Sequence, residues 1–314
     1  MKEYLNALKK ALENQALSKD VIEEVLKDHE EMLQAAFEDG LSEAELTKKF
    51  GDPEKIAKEL SQVEGSQTAE KDLERFKTFT VKAPFKIETE TSNADITYNL
   101  IDSNDLQIWT DDAEMKGYRI VFEDDCLCIR SKEKSSMGLF NFLSTGKKHK
   151  LMVKIPKQLC RRIYHKSVNG PVLIEGLHLE SADINTVNGR LTALDTTMNH
   201  ATFHTVNGEI KGRKLTLKQL HTSQISGLTD LKALTVEDDI TINTVSGDSH
   251  LEDIKVHRLH LKSVSGRIKG TEIYPKVCQL KSVSGSILIE NKTKTDIDIE
   301  KEKTVSGTIK ITQP

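Results

Sequence analysis

The chain has 314 residues, of which 37% are hydrophobic and 30% charged, and its formal net charge is −4 at pH 7. This composition is typical of a globular protein, and the slightly acidic balance excludes a global basic field that would recruit nucleic acid. No apolar run approaches the ~20 residues that a membrane-spanning helix needs, and the first residues do not read as a signal peptide. We expect a cytoplasmic protein or one peripheral to the membrane, with surface exposure by a non-standard route as the alternative.

Residues 1–62 are predicted to form a small helical domain. Its first apolar stripe at helical spacing consists of Tyr4, Leu5, Leu8 and Leu12. A second, longer stripe runs between Val21 and Phe37. Asp52 and Pro53 are predicted to cap and begin a further helix, because aspartate is favoured at the N-cap and proline at the first turn.

The helical domain is acidic. Residues 1–60 contain nine lysines against fifteen carboxylates, a charge of −6, which leaves +2 for the rest of the chain. The ordinary interpretation is a solvated acidic surface, and the sharper one is a docking module for a protein partner. Residues 63–75 are polar, lack strong periodicity and are predicted to be a linker.

From residue 161 onward a five-residue phrase ending in glycine returns at intervals of 19 to 22 residues. The glycines that end it are Gly170, Gly189, Gly208, Gly227, Gly247, Gly266, Gly285 and Gly307. In the short segments that flank each glycine, β-branched apolar residues occupy every second position. A fixed period of this size is the signature of a solenoid. We expect each glycine at a corner, where it supplies a positive φ or a close backbone approach.

The predicted fold is mainly β, a single-sheet-repeat β-solenoid or β-helix of about 19 residues per coil with a small N-terminal all-α domain. The residues two before each glycine, such as Val245 and Val264, are expected in the core. Apolar residues five before the glycine, such as Leu261, are out of phase with them. Either a bulge separates the two positions or the intervening Ser/Thr column points inward. A leucine-rich horseshoe is disfavoured because its LxxLxL phrase is missing.

Degenerate coils are predicted over residues 76–160 and regular coils over 161–314. Thr91–Ile96 resembles the repeat phrase with Ala94 in place of glycine, and Ala94 lies four periods of 19 residues before Gly170.

Residues 131–150 interrupt the repeat with apolar residues inside a basic frame. The candidate contact residues are Met137, Leu139, Phe140, Phe142, Leu143, Lys147, Lys148 and Lys150. Two interpretations stay open: contact with a partner or an anionic membrane surface, or a cap over one end of the solenoid.

The sequence predicts no catalytic residues, no cofactor and no metal ligands. The carboxylates around Asp239 and those around Glu252 fall in different columns of the repeat, and so do the histidines His200, His204 and His221. Four scattered cysteines predict reduced thiols, although Cys126, Cys128 and Cys160 make a metal site conceivable.

One charged column does repeat: Lys262, Lys281 and Lys303 each lie four residues before a glycine. Such a ladder is either a solvated edge that discourages aggregation or a strip that binds anions.

The TVNG and SVSG phrases, with the LMVKIP segment before them, resemble the bacterial repeat family called "putative adhesin" domains. The N-terminal YLNALKKAL and GLSEAEL segments resemble a small helical domain of Firmicutes envelope-signalling proteins. The pairing is similar to the family that includes daptomycin-sensing surface proteins, which implies a place in envelope-stress regulation and no catalytic residues.

Two functions are therefore expected. The first is a non-enzymatic sensor or adaptor for envelope stress that acts through protein or envelope contacts. The alternative is an adhesin-like surface binder of glycan, anionic cell-wall polymer or lipid.

Overall fold

A computed structural model describes residues 2–14, 22, 26, 30, 52–54, 57, 73–112, 114–132, 149–157 and 159–314. The chain divides into two compact units, Met1–Leu73 and Glu74–Pro314. Most of the predicted linker and the second predicted helical stripe, apart from its buried Ile22, lie outside the described residues.

The described helix and strands are α1 (Lys2–Asn14), β1 (Glu74–Thr80), β2 (Phe85–Ile101), β3 (Asp105–Thr110), β4 (Tyr118–Glu123), β5 (Cys126–Ser131), β6 (His149–Pro156), β7 (Cys160–Asn169), β8 (Val172–Glu175), β9 (His178–Thr186), β10 (Leu191–Leu194), β11 (Thr197–Thr205), β12 (Glu209–Gln224), β13 (Leu228–Thr244), β14 (Asp248–Ser263), β15 (Arg267–Ser282), β16 (Ser286–Glu290), β17 (Asp298–Thr304) and β18 (Thr308–Thr312).

In the first unit, α1 buries three of the four residues of its predicted stripe, and Leu5 is half-buried. Tyr4, Leu8 and Leu12 are buried at a spacing of four residues, one above the other on a helix. The Asp52 carboxylate accepts a hydrogen bond from the backbone N–H of Glu54 at 2.8 Å. This contact confirms Asp52 as a cap, because the first N–H groups of a helix have no partner within it.

The second unit is a β-solenoid of about eight turns with roughly 19 residues per turn, as predicted. Successive coils pair in parallel, and each residue lies beside its equivalent in the next coil, as in Leu220↔Ile240 and Ile240↔Leu259. The strands alternate buried and exposed side chains, so the inward residues of all coils stack into one continuous aliphatic core.

The corner phrase has a different orientation from the one predicted. Leu261 is 1% exposed and Ser263 is buried, whereas Val264, expected in the core, is 36% exposed. The Ser/Thr column therefore points inward and no bulge is needed. Several of its hydroxyl groups bond at the corner: the Ser263 hydroxyl donates to the carbonyl of Gly266 at 2.6 Å, and the Gly189 N–H donates to the Thr186 hydroxyl at 3.0 Å. The buried Ser167 hydroxyl, in contrast, has no hydrogen-bond partner among the described residues.

The corner glycines permit a close approach of successive coils. A Cβ atom on Gly208 would overlap the carbonyl oxygen of Gly189, and one on Gly266 would overlap that of Gly247. Only Gly170 and Gly227 among the eight also have a positive φ. Backbone proximity is thus the common requirement at these corners, and a left-handed conformation is the local exception.

The coil around Ala94 stacks directly on the coil around Gly170, since Ile96 in β2 pairs with Val172 in β8. The 76-residue spacing is therefore not four coils. On its other side β2 pairs in parallel with β5 and β6, which carry the antiparallel strands β4 and β3, and β1 pairs with β3. Antiparallel strands thus occupy much of the stretch predicted as degenerate coils.

The two ends of the solenoid differ. The antiparallel strands cover its N-terminal end, whereas β17 and β18 form the last coil. Every side chain of β17 is exposed, and those of β18 alternate between exposed and half-buried. Within the described residues the C-terminal coil therefore ends the stack with little side-chain burial.

Candidate functional site

The outward residues of the coils form a broad polar surface. In β11, His200, Thr202 and His204 alternate with the buried Ala201 and Phe203, so all three point away from the core. The neighbouring strands are in register with β11, so their outward-facing residues lie beside these three. The surface follows from strand alternation, which sends every second residue to the same face of a sheet.

A shallow groove of about 550 Å³ crosses this surface over β11–β14. Its polar lining residues are His200, Thr202, Gln219, His221, Asp239, Thr241, Arg258 and His260. A second depression of about 260 Å³ shares Thr241 and His260 with it and extends to Lys262 and Lys281. The two together form one continuous polar groove, a name used below for both.

The groove contains a close ion pair at Asp239. Arg258 Nε lies 2.5 Å from Asp239 Oδ1, and His260 Nε2 lies 3.9 Å from the same oxygen. The hydrogen bond from Arg258 lowers the pKa of Asp239 below its ordinary value. Burial, with a smaller contribution from His204, lowers the pKa of His221.

The lysine column, Lys262, Lys281 and Lys303, lies at one side of the groove. The structure pairs Lys262 with Lys281 and Lys281 with Lys303, so the three ammonium groups extend from adjacent coils, about 4.8 Å apart at the backbone. Among the residues that the structure describes, no carboxylate is recorded within ion-pair distance of them. Imidazole, guanidinium and ammonium donors converge here, which suits the binding of anionic or hydroxyl-rich groups.

The groove is not evident in the sequence, because its residues fall in different columns of the repeat and share only a face of the strands. His200, His221 and His204 lie eight, six and four positions before their glycines, and even offsets share a face of a strand. Because all three offsets are even, the sequence already indicated that these histidines share one face of the strands. Arg258 and His260, which follow the same parity, were not singled out.

The carboxylates stay apart, as the sequence predicts. Asp239 pairs with Arg258 in the groove, whereas Glu252 lies 3.3 Å from Lys232 on a different part of the coil. Asp253 occupies a corner with φ of 52°.

A second surface consists of exposed apolar residues at the corners. The apolar column comprises Ile225, Val245, Val264, Val283 and Val305, one from each of five consecutive coils, all exposed and Val305 the most so at 74%. Backbone hydrogen bonds cross the corners, as from the Val264 N–H to the carbonyl of Thr244 at 3.1 Å. The column is therefore a continuous apolar ridge, which is uncommon on a protein that contacts only water.

Of the candidate contact residues in 131–150, only Lys150 is described. Lys150 lies in β6, and its backbone N–H donates to Oδ1 of Asp111, which follows β3, at 3.0 Å. The others, Met137, Leu139, Phe140, Phe142, Leu143, Lys147 and Lys148, lie outside the described residues. The choice between a cap and a membrane or partner contact stays a prediction.

The cysteines fall into two environments. Cys160 and Cys278 are buried in the core, where burial raises the pKa of each thiol to about 12. Cys126, which is 6% exposed, and the half-buried Cys128 project from the face of β5 opposite the core residues Leu127 and Ile129, and Glu88, which the sequence did not single out, joins them. Cys160 is not part of that group.

No described helix is long and apolar enough to cross a membrane.

Comparisons with known proteins identify both units. The family described as HAAS matches residues 3–59, and the family described as Toastrack DUF4097 matches residues 85–241 and 213–313. No curated protein matches the sequence.

Solved structures share the fold of the second unit at low identity. A "putative lipid binding protein" from Parabacteroides distasonis ATCC 8503 is 18% identical, with a TM-score of 0.56 over 77% of this chain and 98% of that one. A "putative adhesin" from Parabacteroides merdae ATCC 43184 is 17% identical, with a TM-score of 0.54 over 76% of this chain and 96% of that one. A further "putative adhesin" from Parabacteroides distasonis ATCC 8503 is 16% identical, with a TM-score of 0.53 over 76% and 95%. With the repeat, the stacked coils and a family match over most of its length, the chain belongs to the Toastrack DUF4097 family and carries a HAAS domain at its N-terminus.

Proposed function

We propose that the protein is a non-enzymatic binding protein of the bacterial cell envelope, and that its polar groove holds an extended anionic ligand. The observation that carries this proposal is the lysine column beside the groove. Three ammonium groups repeat at the spacing of the coils, and a polymer or lipid surface with repeated negative groups meets several of them at once. The names of the structural neighbours, adhesin and lipid binding protein, agree with such a ligand.

The repulsion between the lysines supports this function. Like charges on adjacent strands are unfavourable for stability, so their presence costs the folded protein a small amount of free energy. A bound phosphate or carboxylate would relieve that repulsion, and salt would weaken the attraction because Lys262 and Lys303 are exposed and Lys281 is half-buried. We therefore expect ligand binding that depends on ionic strength.

The test compares two triple variants of the full chain with equal charge changes. Lys262→Gln, Lys281→Gln and Lys303→Gln together should weaken binding to phosphatidylglycerol vesicles or to a glycerol-phosphate polymer at least about tenfold, and should reduce its salt dependence. Vesicle flotation and isothermal titration separate the lipid from the polymer.

The control replaces Lys255, Lys269 and Lys310, which are exposed elsewhere on the coils, with glutamine. It should bind within about twofold of the wild type, because these lysines lie away from the groove. Long-range attraction falls by the same three charges in both variants, so the difference between them reports contacts at the lysine column. Equal weakening by both triples would show that net charge alone attracts the ligand, and the groove would lose its role.

A second candidate is the envelope-stress sensor or adaptor, and the apolar column favours it. An apolar ridge along five coils fits contact with another protein, and the acidic helical domain offers a second docking surface. Replacing Val245, Val264 and Val283 with threonine keeps the β-branched shape and removes much of the apolar area.

In cells, that threonine variant should fail to change the output of an envelope-stress reporter while remaining folded. The lysine variant should leave the reporter unchanged if protein contact alone transmits the signal. A threonine variant with a normal stress response would remove the apolar column from the adaptor function.

A further inference from the structure

A small cluster of metal-binding groups lies on the outer face of the solenoid, away from the polar groove. Glu88 in β2 and Cys126 and Cys128 in β5 offer one carboxylate and two thiol groups, and their ligand atoms all lie within 4.8 Å of one another. The two sulfur atoms are 3.4 Å apart. We call these three residues the thiol cluster.

The backbone holds the cluster in place. Leu127 and Ile129 of β5 point into the core, so Cys126 and Cys128 project from the opposite face of the strand, where Cys126 is 6% exposed and Cys128 is half-buried. β2 and β5 run in parallel, and Glu88 is the direct register partner of Cys128. The three donors therefore project from two hydrogen-bonded strands whose opposite faces are fixed by core packing.

The distances suit a tetrahedral ion. Zinc binds cysteine sulfur at about 2.3 Å and carboxylate oxygen at about 2.0–2.2 Å, so two sulfurs on one zinc ion lie about 3.8 Å apart. The observed sulfur separation of 3.4 Å is close to that value. Small side-chain rotations would bring all three atoms to bonding distance.

Two cations flank the cluster. Lys86 Nζ lies 2.6 Å from one oxygen of Glu88, and Arg130 Nη2 lies 3.7 Å from the other. Two thiolates and a carboxylate around a divalent ion would carry a net charge of −1, which these side chains can balance. The metal-free cluster, with two neutral thiols and one carboxylate, carries the same charge, so the two cations can balance the cluster in either form.

We propose that Glu88, Cys126 and Cys128 bind a zinc ion, with a fourth coordination position open to solvent. Two thiols with one carboxylate favour zinc over softer Cu(I), which prefers sulfur alone, and over harder Mg²⁺ and Ca²⁺, which prefer oxygen. Binding transfers one proton from each thiol to water, so each Zn²⁺ ion taken up releases two protons. This assignment departs from the expectation that the cysteines are ordinary reduced thiols.

The test uses the full chain, reduced and freed of metal, with Zn²⁺ and Co²⁺ as probes. Isothermal titration should show one Zn²⁺ site per chain, and Co²⁺ should give the near-ultraviolet absorption of cobalt–sulfur bonds. Cys128→Ser should abolish that absorption or reduce it strongly, and should weaken Zn²⁺ binding at least about tenfold. Glu88→Gln should also weaken binding at least about tenfold and should alter the visible cobalt bands.

Two control variants separate coordination from general effects. Glu90→Gln removes a carboxylate two residues along the same strand that also lies near Arg130, and Cys278→Ser removes a thiol buried in another coil. Both should bind zinc as the wild type does, with melting curves to verify that each variant is folded. The proposal is wrong if the wild type binds no Zn²⁺, or if a folded Cys128→Ser variant binds it unchanged. A Cu(I) site without measurable Zn²⁺ affinity would overturn it as well.

Discussion

At the residue scale, each position of the corner phrase has its own orientation and contacts. The Ser/Thr points inward and bonds to the corner, the Val or Ile points outward, and the glycine permits the next coil to approach. Between them, Asn188 donates its side-chain amide to Asn169 at 3.0 Å, and Asn207 donates to Asn188 at 3.2 Å. Stacked amides of this kind satisfy side-chain polar groups from coil to coil.

Because of this orientation, we expect two aspartate substitutions three residues apart to destabilise the protein by very different amounts. Leu261→Asp places a charge in the aliphatic core and should lower the free energy of unfolding by about 4 kcal/mol or more. Val264→Asp places the charge on the exposed apolar column and should cost about 1 kcal/mol or less. Urea unfolding measures both. A Val264→Asp variant as unstable as Leu261→Asp would mean that the column is inward after all.

At the element scale, a buried polar chain joins β2 to β7. The Tyr98 hydroxyl donates to Thr89 Oγ1 at 2.8 Å and lies 3.0 Å from His165 Nδ1, and all three residues are completely buried. Burial lowers the pKa of His165 to about 3, so the ring is neutral in the folded protein. The contact links neighbouring coils through side chains, in addition to the backbone ladder.

The neutral His165 predicts a loss of stability in mild acid. In the unfolded chain the histidine takes up a proton near pH 6.5, whereas in the folded chain it does so only near pH 3. The unfolded state therefore binds more protons between these values. This group's contribution is fully present above about pH 6.5 and falls by about 1.4 kcal/mol for each pH unit below it.

Urea titrations of wild type, His165→Gln and His178→Gln at about pH 7.5 and about pH 5 test this behaviour. His165→Gln should lose about 1.4–2 kcal/mol less on acidification than the wild type, and His178→Gln, an exposed control, should behave as the wild type does. If His165→Gln and the wild type lose the same free energy, the histidine titrates normally and its buried placement is wrong.

At the scale of the whole solenoid, burial differs between the ends and the middle of the stack. Coils β12–β15 have neighbours on both sides, whereas β17 and β18 have a coil on one side and almost no buried side chain. In a stack whose stability comes from neighbour contacts, a terminal coil opens most easily.

Hydrogen exchange followed by mass spectrometry should show this gradient. Amides of Asp298–Thr304 and Thr308–Thr312 should exchange at least about tenfold faster than those in the middle of β13, because local opening there exposes little apolar surface. Uniform protection up to the C-terminus would indicate that another chain covers the terminal coil.

The sequence by itself determined the repeat, the coil length, the register of the lysine column and the stripe of α1, because each depends on periodicity along the chain. The tertiary structure decided what depends on contacts between distant segments. It turned the Ser/Thr column inward, because a hydroxyl can bond to the corner only when the coils close. It placed Ala94 next to the Gly170 coil and brought Glu88 beside Cys126 and Cys128. Spacing along a chain reports which residues recur, whereas pairing between strands alone decides which of them meet.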